Sequence, residues 1–326
     1  MRRALKLAVG LAIGCVFLWL TLRHVDFGAV ITASRLVNWP LLALAPVCLS
    51  LGYICRVLRW RLMLLPHNPA LGFGRATVAF VGSIAVNNLA PFRLGDVMRC
   101  FAFSSWLGIA PGAVVASMLV ERLLDLVALV VALGLAVWLL SVTQDTMGLG
   151  LGWVAVVLVL GGLSVMLLAH PPLMIGLSRA LLRLANRFGP AITQRAAAFL
   201  EPLITGLSQA AERRMMTTLI VWTLPIWFFE AACYRVTAQA LPDLPEPGAA
   251  WLAMPVGTLA TLLPSTPGHI GTFDYFAQAA TLALGNPLVQ ATAFVLIVRL
   301  VLWLTTTLTG SLCLLIWALA RGKTRA

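Results

Sequence analysis

Residues 87–96 read NNLAPFRLGD, and this stretch decides the fold because it interrupts an otherwise apolar segment. Residues 264–274 read PSTPGHIGTFD and interrupt a second apolar segment in the same way. Each stretch contains a proline, a glycine four residues later and an aspartate soon after that glycine. Each follows an apolar run of about 14 residues, which is too short to cross a bilayer. Paired interruptions of this kind, in two halves of a chain, indicate a transporter's binding site.

The similarity between the two halves extends beyond these motifs. When the chain is aligned with itself at a shift of 176 residues, eight pairs of Arg, Pro or Gly coincide, the last after a one-residue insertion. The pairs are Arg59 with Arg235, Pro66 with Pro242, Pro69 with Pro245, Gly72 with Gly248, Pro91 with Pro267, Gly95 with Gly271, Pro111 with Pro287 and Arg122 with Arg299. Prolines are scarce and punctuate structure. The pattern predicts an internal duplication; the alternative is a chance likeness between two apolar hairpins.

The composition excludes a soluble globular domain. The chain of 326 residues is 61% hydrophobic and only 10% charged, with a mean hydropathy of +0.96. These values are typical of a polytopic membrane protein. The formal net charge of +12 does not indicate nucleic-acid binding, because the basic residues lie in loops beside apolar segments. That placement fits orientation by the positive-inside rule and attraction to anionic lipid.

No motif indicates a cofactor or a metal site. The six cysteines are scattered through apolar stretches without the spacing of a redox or zinc motif. The four histidines lack metal-ligand spacing. Neither a phosphate-binding loop nor a nucleophile-elbow motif is present. We therefore expect no metal, no cofactor and no ATP hydrolysis by this chain.

Six stretches are long and apolar enough to cross a bilayer. They are residues 4–22, 40–62, 112–140, 151–169, 217–240 and 287–319. The two interrupted segments, 74–107 and 250–285, lie between them, and each is expected to enter the membrane and return to the side from which it came. The predicted fold is an all-α polytopic membrane protein with six spans, two re-entrant segments and two inverted repeats.

The distribution of basic residues predicts the orientation. Basic residues concentrate at the two termini, around residues 59–75 and in the connection 170–216, whereas 141–150 has none and 241–249 is acidic. We therefore expect a protein of the bacterial inner membrane with both termini in the cytoplasm. The predicted organisation is an N-terminal helix and loop (1–39), a first repeat (40–169), a cytoplasmic, basic, amphipathic linker (170–216) and a second repeat with a basic tail (217–326).

Charged residues cluster at the interruptions and inside the spans. Irregular backbone in hydrocarbon must be buried in protein or line a wet cavity. Helices that restart near Gly95 and Gly271 direct N-termini, which favour phosphate or carboxylate, toward the membrane centre. Ionisable residues at such depth usually face a cavity, a partner or a substrate. We predict a binding site for the anionic headgroup of a membrane lipid at Asn88, Pro91, Arg93, Gly95, Asp96, Arg99, Glu121, Arg122, Asp125, Pro267, Gly268, Gly271, Asp274 and Arg299.

Structural roles compete with binding roles at several of these positions. Glu121, Arg122 and Asp125 are also consistent with a buried network that only fixes helix packing. Arg93 is also consistent with a side chain that snorkels to the membrane interface. Arg59, at the end of a predicted span, is interpreted as a positive-inside anchor rather than a ligand.

The motifs NLAPFRLGDVMR (88–99), ERLLD (121–125) and PSTPGHIGTFD (264–274) resemble those of the lysylphosphatidylglycerol synthase transmembrane family. The resemblance is to its free-standing, flippase-like members and covers nearly the whole chain. It implies a membrane domain that flips a lipid without aminoacyl transfer, and it points toward hopanoid or polyprenyl-linked glycolipid pathways. The chain has Asp96 and Asp274 where the family usually has Glu, and His269 where it often has Gly.

Three functions compete at this stage. The leading hypothesis is a translocase that moves an anionic phospholipid or polyprenyl-linked lipid between leaflets. A second is a non-transporting membrane partner of a lipid or glycan biosynthetic enzyme. A third is an intramembrane lipid-modifying enzyme with Asp96, Asp274 or His269 as general acid or base. The paired interruptions favour the translocase, and whether they form one site or two stays open.

Overall fold

The computed structural model describes residues 16–21, 23, 26–90, 93–141, 151–263 and 266–323. These residues form α-helices and short 3₁₀ turns, and no β-strand occurs among them. The helices are α1 (Phe27–Arg35), α2 (Trp39–Leu42), α3 (Leu44–Leu64), α4 (Phe73–Leu89), α5 (Leu94–Leu107), α6 (Pro111–Leu139), α7 (Leu151–Ala169), α8 (Pro171–Ala185), α9 (Pro190–Ala211), α10 (Arg213–Gln239), α11 (Ala250–Ala260), α12 (Thr272–Leu282) and α13 (Leu288–Lys323). The prediction of an all-α protein is confirmed.

Long apolar helices dominate because backbone groups in hydrocarbon must form hydrogen bonds within their own segment. Four are long and apolar enough to cross a bilayer: Trp39–Leu64, Pro111–Leu139, Arg213–Gln239 and Leu288–Leu319. A fifth is added if α7 and α8, which meet at 80°, form one broken span. The chain is therefore a multi-pass membrane protein, but the described residues do not provide the expected six spans. Most of the expected span 4–22 lies outside the described residues.

Both helix interruptions fall where the sequence places them. Residues 90–93 separate α4 from α5, and residues 261–271 separate α11 from α12. The backbone is left-handed in both, with φ of 51° at Arg93 and 56° at His269. Residues other than glycine rarely adopt positive φ, and these two occupy equivalent positions at the shift of 176 residues. The same unusual backbone conformation therefore recurs in both interruptions.

Each helical hairpin packs against a long helix from the other half of the chain. α4 packs against α5 and α13, and α11 packs against α12 and α6. α3 and α10, which precede the two hairpins, pack against each other. α4 approaches α13 closely because Gly310 has no side chain; a Cβ there would lie 2.4 Å from the carbonyl oxygen of Val81. The two halves are interlocked by these contacts.

The basic connection 170–216 forms a second kind of hairpin, from α8 and α9. α9 packs against α6. α8 leaves its apolar face exposed, from 47% at Leu184 to 65% at Leu177, beside the exposed Arg179 and Arg183. The segment is helical and amphipathic, and its position on the cytoplasmic leaflet stays a prediction.

Substitution of Gly310 by Ala tests the interlocking of the two halves. The added methyl group would lie 2.4 Å from the α4 backbone, so α4 and α13 must separate, at a cost of about 1–3 kcal/mol. We expect a lower midpoint of thermal denaturation for the variant purified in detergent. Gly134→Ala is the matched control, because a Cβ on this helical glycine meets nothing within 4 Å. Equal midpoints for the two variants would contradict the close crossing.

Candidate functional site

Side chains on either side of the first interruption close it by bonding to each other. The Asn87 amide donates to the Asp96 carboxylate at 2.8 Å, and the Asn87 side-chain oxygen accepts the backbone N–H of Asp96 at 3.1 Å. Gly95 lets the two helices touch, since a Cβ there would lie 1.8 Å from the carbonyl oxygen of Ser83. Gly95 and Asp96 therefore hold the hairpin together, and one N–H at the start of α5 is already bonded.

The second interruption is closed by Arg299, which reaches it from α13. The guanidinium forms an ion pair with Asp274 and donates to the carbonyl oxygens of Gly268 at 3.1 Å and His269 at 3.0 Å. Asp274 also accepts the backbone N–H of Gly271 at 2.9 Å, which caps α12. These expected site residues are engaged with one another, so a ligand bound directly to them would compete with bonds inside the protein.

The two interruptions lie next to each other. Arg93, in the first, donates to the carbonyl oxygen of Thr261 in the second at 3.2 Å. Asn88, also from the first hairpin, donates to Thr306 of α13 at 2.9 Å. α4 packs against the 3₁₀ turn Pro267–His269. Residues from both interruptions therefore meet in one place.

A cavity of about 210 Å³ lies where they meet. It is lined by Asn88 from the first hairpin, by Thr261 and His269 from the second, and by Tyr53 of α3 and Trp303 of α13. A wall that combines aromatic rings with a few polar groups is typical of small-molecule sites. Residues of both hairpins therefore line the same cavity.

Ion pairs connect the helices around this cavity. Five arginines meet five carboxylates: Arg56 contacts Asp125 and Glu230, Arg59 contacts Asp125, Arg99 contacts Glu121, Arg122 contacts Asp96, and Arg299 contacts Asp274. A charge in a protein or lipid interior is costly unless an opposite charge accompanies it. Because the five arginines and five carboxylates are equal in number, their charges cancel within this group.

Arg99 and Glu121, both expected at the binding site, form an enclosed pair. Arg99 is only 1% exposed, and its Nη2 atom lies 2.6 Å from the Glu121 carboxylate. The guanidinium carbon of Arg99 lies 4.1 Å from the ring centroids of both Trp60 and Phe80, a cation–π arrangement. This geometry favours a packing role for the pair over contact with a ligand.

A second enclosed network joins α3, α6 and α10. Arg59 is 1% exposed and donates to Asp125 at 2.7 Å and to Thr223 at 2.8 Å. Arg56, nearly one turn earlier, lies 3.4 Å from Asp125 and pairs with Glu230. The interpretation of Arg59 as an interfacial anchor is wrong, because it binds a buried carboxylate inside the protein. Arg56 was not among the predicted site residues, although a spacing of three places both arginines on one helix face.

Arg122 and Arg93 are held less tightly. The Arg122 side chain is 53% exposed and lies 3.5 Å from the Asp96 carboxylate, a looser contact than the 2.6 Å pair of Arg99. Arg93 is exposed, forms no ion pair within the described part of the chain, and donates to a backbone carbonyl. Both act electrostatically on His269, which lines the cavity. One positive charge therefore stands unbalanced beside the cavity.

The remaining expected site residues shape the path of the chain. Pro91 lies outside the described residues. Pro267 begins the 3₁₀ turn Pro267–His269, in which Gly268 has a φ of 66°, and Gly271 has a φ of 91°. Glycine adopts positive φ without the steric cost that a side chain brings. These residues position the polar groups that follow them in sequence.

Comparison with known proteins places the chain in a family. A family model described as the lysylphosphatidylglycerol synthase TM region matches residues 7–310. The chain belongs to that family, and the resemblance drawn from its motifs is confirmed. It is also similar to glycosyltransferase AglD of Haloferax volcanii, with 25% identity over 331 residues that cover 90% of this chain and 52% of the relative. The chain therefore spans about half the length of that relative.

A double-mutant cycle tests the packing role of Arg99 and Glu121. Arg99→Met leaves the Glu121 carboxylate buried without its partner, which is expected to cost about 3–5 kcal/mol of stability. Glu121→Gln in the same chain removes the stranded charge, so the thermal midpoint in detergent should recover most of the loss. If Arg99→Met is as stable as the wild type, or if the double variant does not recover, the pair does not stabilise the fold as assigned.

Proposed function

We propose that this chain moves a lipid with an anionic headgroup between the two leaflets of a bilayer. The observation that carries the proposal is the unbalanced positive charge of Arg93 and Arg122, beside a cavity that both hairpins line. Guanidinium groups form strong, charge-assisted hydrogen bonds with phosphate. The headgroup of a phospholipid or polyprenyl-linked lipid binds at these arginines while its hydrocarbon chains stay in the bilayer.

The position of Arg122 supports this assignment. α6 is long enough to cross a bilayer, and Arg122 lies near its middle. A half-exposed arginine at that depth is costly in hydrocarbon and is expected to face water or an anion. Its contact with Asp96 is long, at 3.5 Å, so a phosphate oxygen can replace it at low cost.

We further propose that the two halves are inverted repeats, each with a re-entrant hairpin. The reciprocal packing of α4 on α13 and of α11 on α6 supports this arrangement, as does the positive φ at the equivalent Arg93 and His269. Inverted repeats suit a shared central site that opens to either side in turn. Six spans and cytoplasmic termini in a bacterial inner membrane complete the proposed topology.

A lipid-modifying enzyme is a weaker candidate. Asp96 is bonded to Asn87 and contacts Arg122. Asp274 is paired with Arg299 and caps α12 through the N–H of Gly271. Both carboxylates are committed to closing the interruptions, whereas a general acid or base must reach the reacting group of its substrate. We therefore propose no catalytic role for Asp96 or Asp274.

A partner of a lipid or glycan biosynthetic enzyme is the second candidate. One observation favours it: the relative from Haloferax volcanii is named a glycosyltransferase, and the present chain matches only 52% of its length. In this second candidate the membrane region acts beside a glycosyltransferase without moving lipid itself. Leaflet exchange by the purified chain separates the two candidates.

Leaflet accessibility of fluorescent anionic phospholipids in proteoliposomes tests the proposal. Vesicles that contain the wild type, Arg122→Ala or Arg75→Ala are treated with a reagent that quenches the outer-leaflet label. Wild type should expose the inner-leaflet label, and Arg122→Ala should slow this about tenfold or more, since a hydrogen bond to a charged group contributes about 1.5–3 kcal/mol. Arg75→Ala removes an exposed arginine near the start of α4 and should exchange lipid at the wild-type rate.

Two controls accompany this assay. Circular dichroism and thermal denaturation establish that each variant is folded, and mass spectrometry establishes whether the lipid is chemically unchanged. A wild-type rate in folded Arg122→Ala contradicts the assigned site. No exchange by wild type with any of several anionic headgroups contradicts the translocase and favours the partner, while a modified lipid favours the enzyme.

A further inference from the structure

The carboxylate in the cavity wall is already paired with an arginine. Glu230 lines the cavity and forms an ion pair with Arg56. Asp274 is bound in the same way to Arg299, whose side chain lines the cavity. An ammonium group is a donor without acceptor capacity, and its burial requires a compensating anion. Among the described residues of the wall, no carboxylate is left for such a group.

Several polar side chains in the wall use their donors inside the protein and keep an oxygen that can accept a hydrogen bond. The Thr261 hydroxyl donates to the carbonyl of Thr258 at 2.7 Å, and the Thr306 hydroxyl donates to the carbonyl of Leu302 at 2.7 Å. The Asn88 amide donates to Thr306. With their donors engaged inside the protein, Thr261 and Asn88 offer side-chain oxygens to a ligand. Such acceptors match the hydroxyl groups of a glycerol or a sugar.

We infer that the cavity takes a headgroup with a phosphate and hydroxyl groups but no ammonium group. This inference rests on the proposed function and names the lipid class of the same site. The phosphate lies at Arg93 and Arg122, which stand at the edge of the cavity: neither lines its wall, but Arg93 donates to the wall residue Thr261. The hydroxyl groups face Asn88 and Thr261. The volume of about 210 Å³ is below the roughly 300–1,000 Å³ of sites for drug-sized ligands. A glycerol or a single sugar ring fits this volume.

Electrostatic repulsion adds to this selectivity. Arg93, Arg122 and Arg299 all act on His269 in the cavity wall. A headgroup with an ammonium group would add a positive charge where these arginines already exceed the available carboxylates. Like charges that meet in a site disfavour the wrong ligand. The cavity therefore excludes ethanolamine and aminoacyl headgroups for the same reason that it attracts phosphate.

Native mass spectrometry of the detergent-purified full chain tests the headgroup class. The chain is titrated separately with phosphatidylglycerol, phosphatidic acid, phosphatidylethanolamine, lysyl-phosphatidylglycerol and a polyprenyl phosphoglucose. Phosphatidylglycerol or the phosphoglucose lipid should bind about tenfold or more tightly than either ammonium-bearing lipid. Phosphatidic acid, which has phosphate without headgroup hydroxyls, should bind more weakly than the better of the two. Tighter binding of phosphatidylglycerol would identify a glycerol as the source of the hydroxyl groups, and tighter binding of the polyprenyl phosphoglucose would identify a sugar.

Three results of this titration overturn the inference. The first is binding of lysyl-phosphatidylglycerol or phosphatidylethanolamine as tightly as the better hydroxyl-bearing lipid. The second is equal binding of phosphatidic acid, which would remove the role of the hydroxyl groups. The third is no binding of any of the five lipids. These results come from the wild type and do not depend on the folding of any variant.

Substitution of Arg56 provides a gain-of-binding test. Arg56→Gln leaves the Glu230 carboxylate unpaired in the cavity wall, so affinity for the two ammonium-bearing lipids should rise about tenfold. The added Glu230→Gln should abolish that rise. Arg61→Gln is the matched control on the same helix, because Arg61 donates to the carbonyl of Leu71 at 2.7 Å and lies outside the cavity wall. A folded Arg56→Gln with unchanged preference contradicts the role assigned to the Glu230 pair.

Binding and movement are measured separately, so their failures are distinguishable. Selective binding of phosphatidylglycerol without leaflet exchange overturns the translocase and supports the headgroup class. If phosphatidylglycerol and lysyl-phosphatidylglycerol bind with equal affinity and both are exchanged between leaflets, the translocase is supported and the headgroup class is overturned.

Discussion

The structure depends on satisfying backbone groups where two helices are interrupted inside an apolar chain. A carbonyl or N–H without a partner is strongly unfavourable in hydrocarbon. Arg299 donates to the carbonyl oxygens of Gly268 and His269, and the Asn87 side chain accepts the N–H of Asp96. Polar and charged side chains are therefore required at these depths for the fold itself. Their presence alone does not identify a binding site; such a site is indicated by polar side chains that remain after the backbone is satisfied.

The two halves have similar helix interruptions but close them with different side chains. Arg122 and Arg299 occupy corresponding places in the aligned halves. Arg299 closes the interruption of its own half through Asp274 and two carbonyl oxygens. In the first half Asn87 performs that closure with Asp96, so Arg122 keeps only a long contact with that carboxylate. This asymmetry explains how two halves with matching interruptions provide one unbalanced charge rather than two equivalent sites.

Sequence patterns predicted the elements better than the contacts between them. The prolines and glycines near residues 91 and 267 identified both interruptions, because these residue types restrict local backbone conformation. Whether a buried charge has a partner depends on which helices are neighbours in space. Arg99 lies between Trp60 and Phe80, from two other helices, and no local pattern encodes that arrangement. Arg59 was misassigned for the same reason, since its proximity to the end of a span resembles that of an interfacial anchor.

The long and exposed ion pair of Arg122 favours a ligand-binding role for this arginine. A purely structural arginine near the middle of a membrane helix would gain stability from the short, enclosed pairing that Arg99 makes at 2.6 Å, because the cost of its charge falls with each good partner. Arg122 instead is 53% exposed and stands 3.5 Å from Asp96, with Arg93 near enough to repel it. Arg93 has no ion pair among the described residues and repels Arg122, so one further anion beside the two arginines would lower this repulsion. If the proposed function holds, a phosphate at this point gains binding energy from an arginine that the fold itself leaves loosely paired.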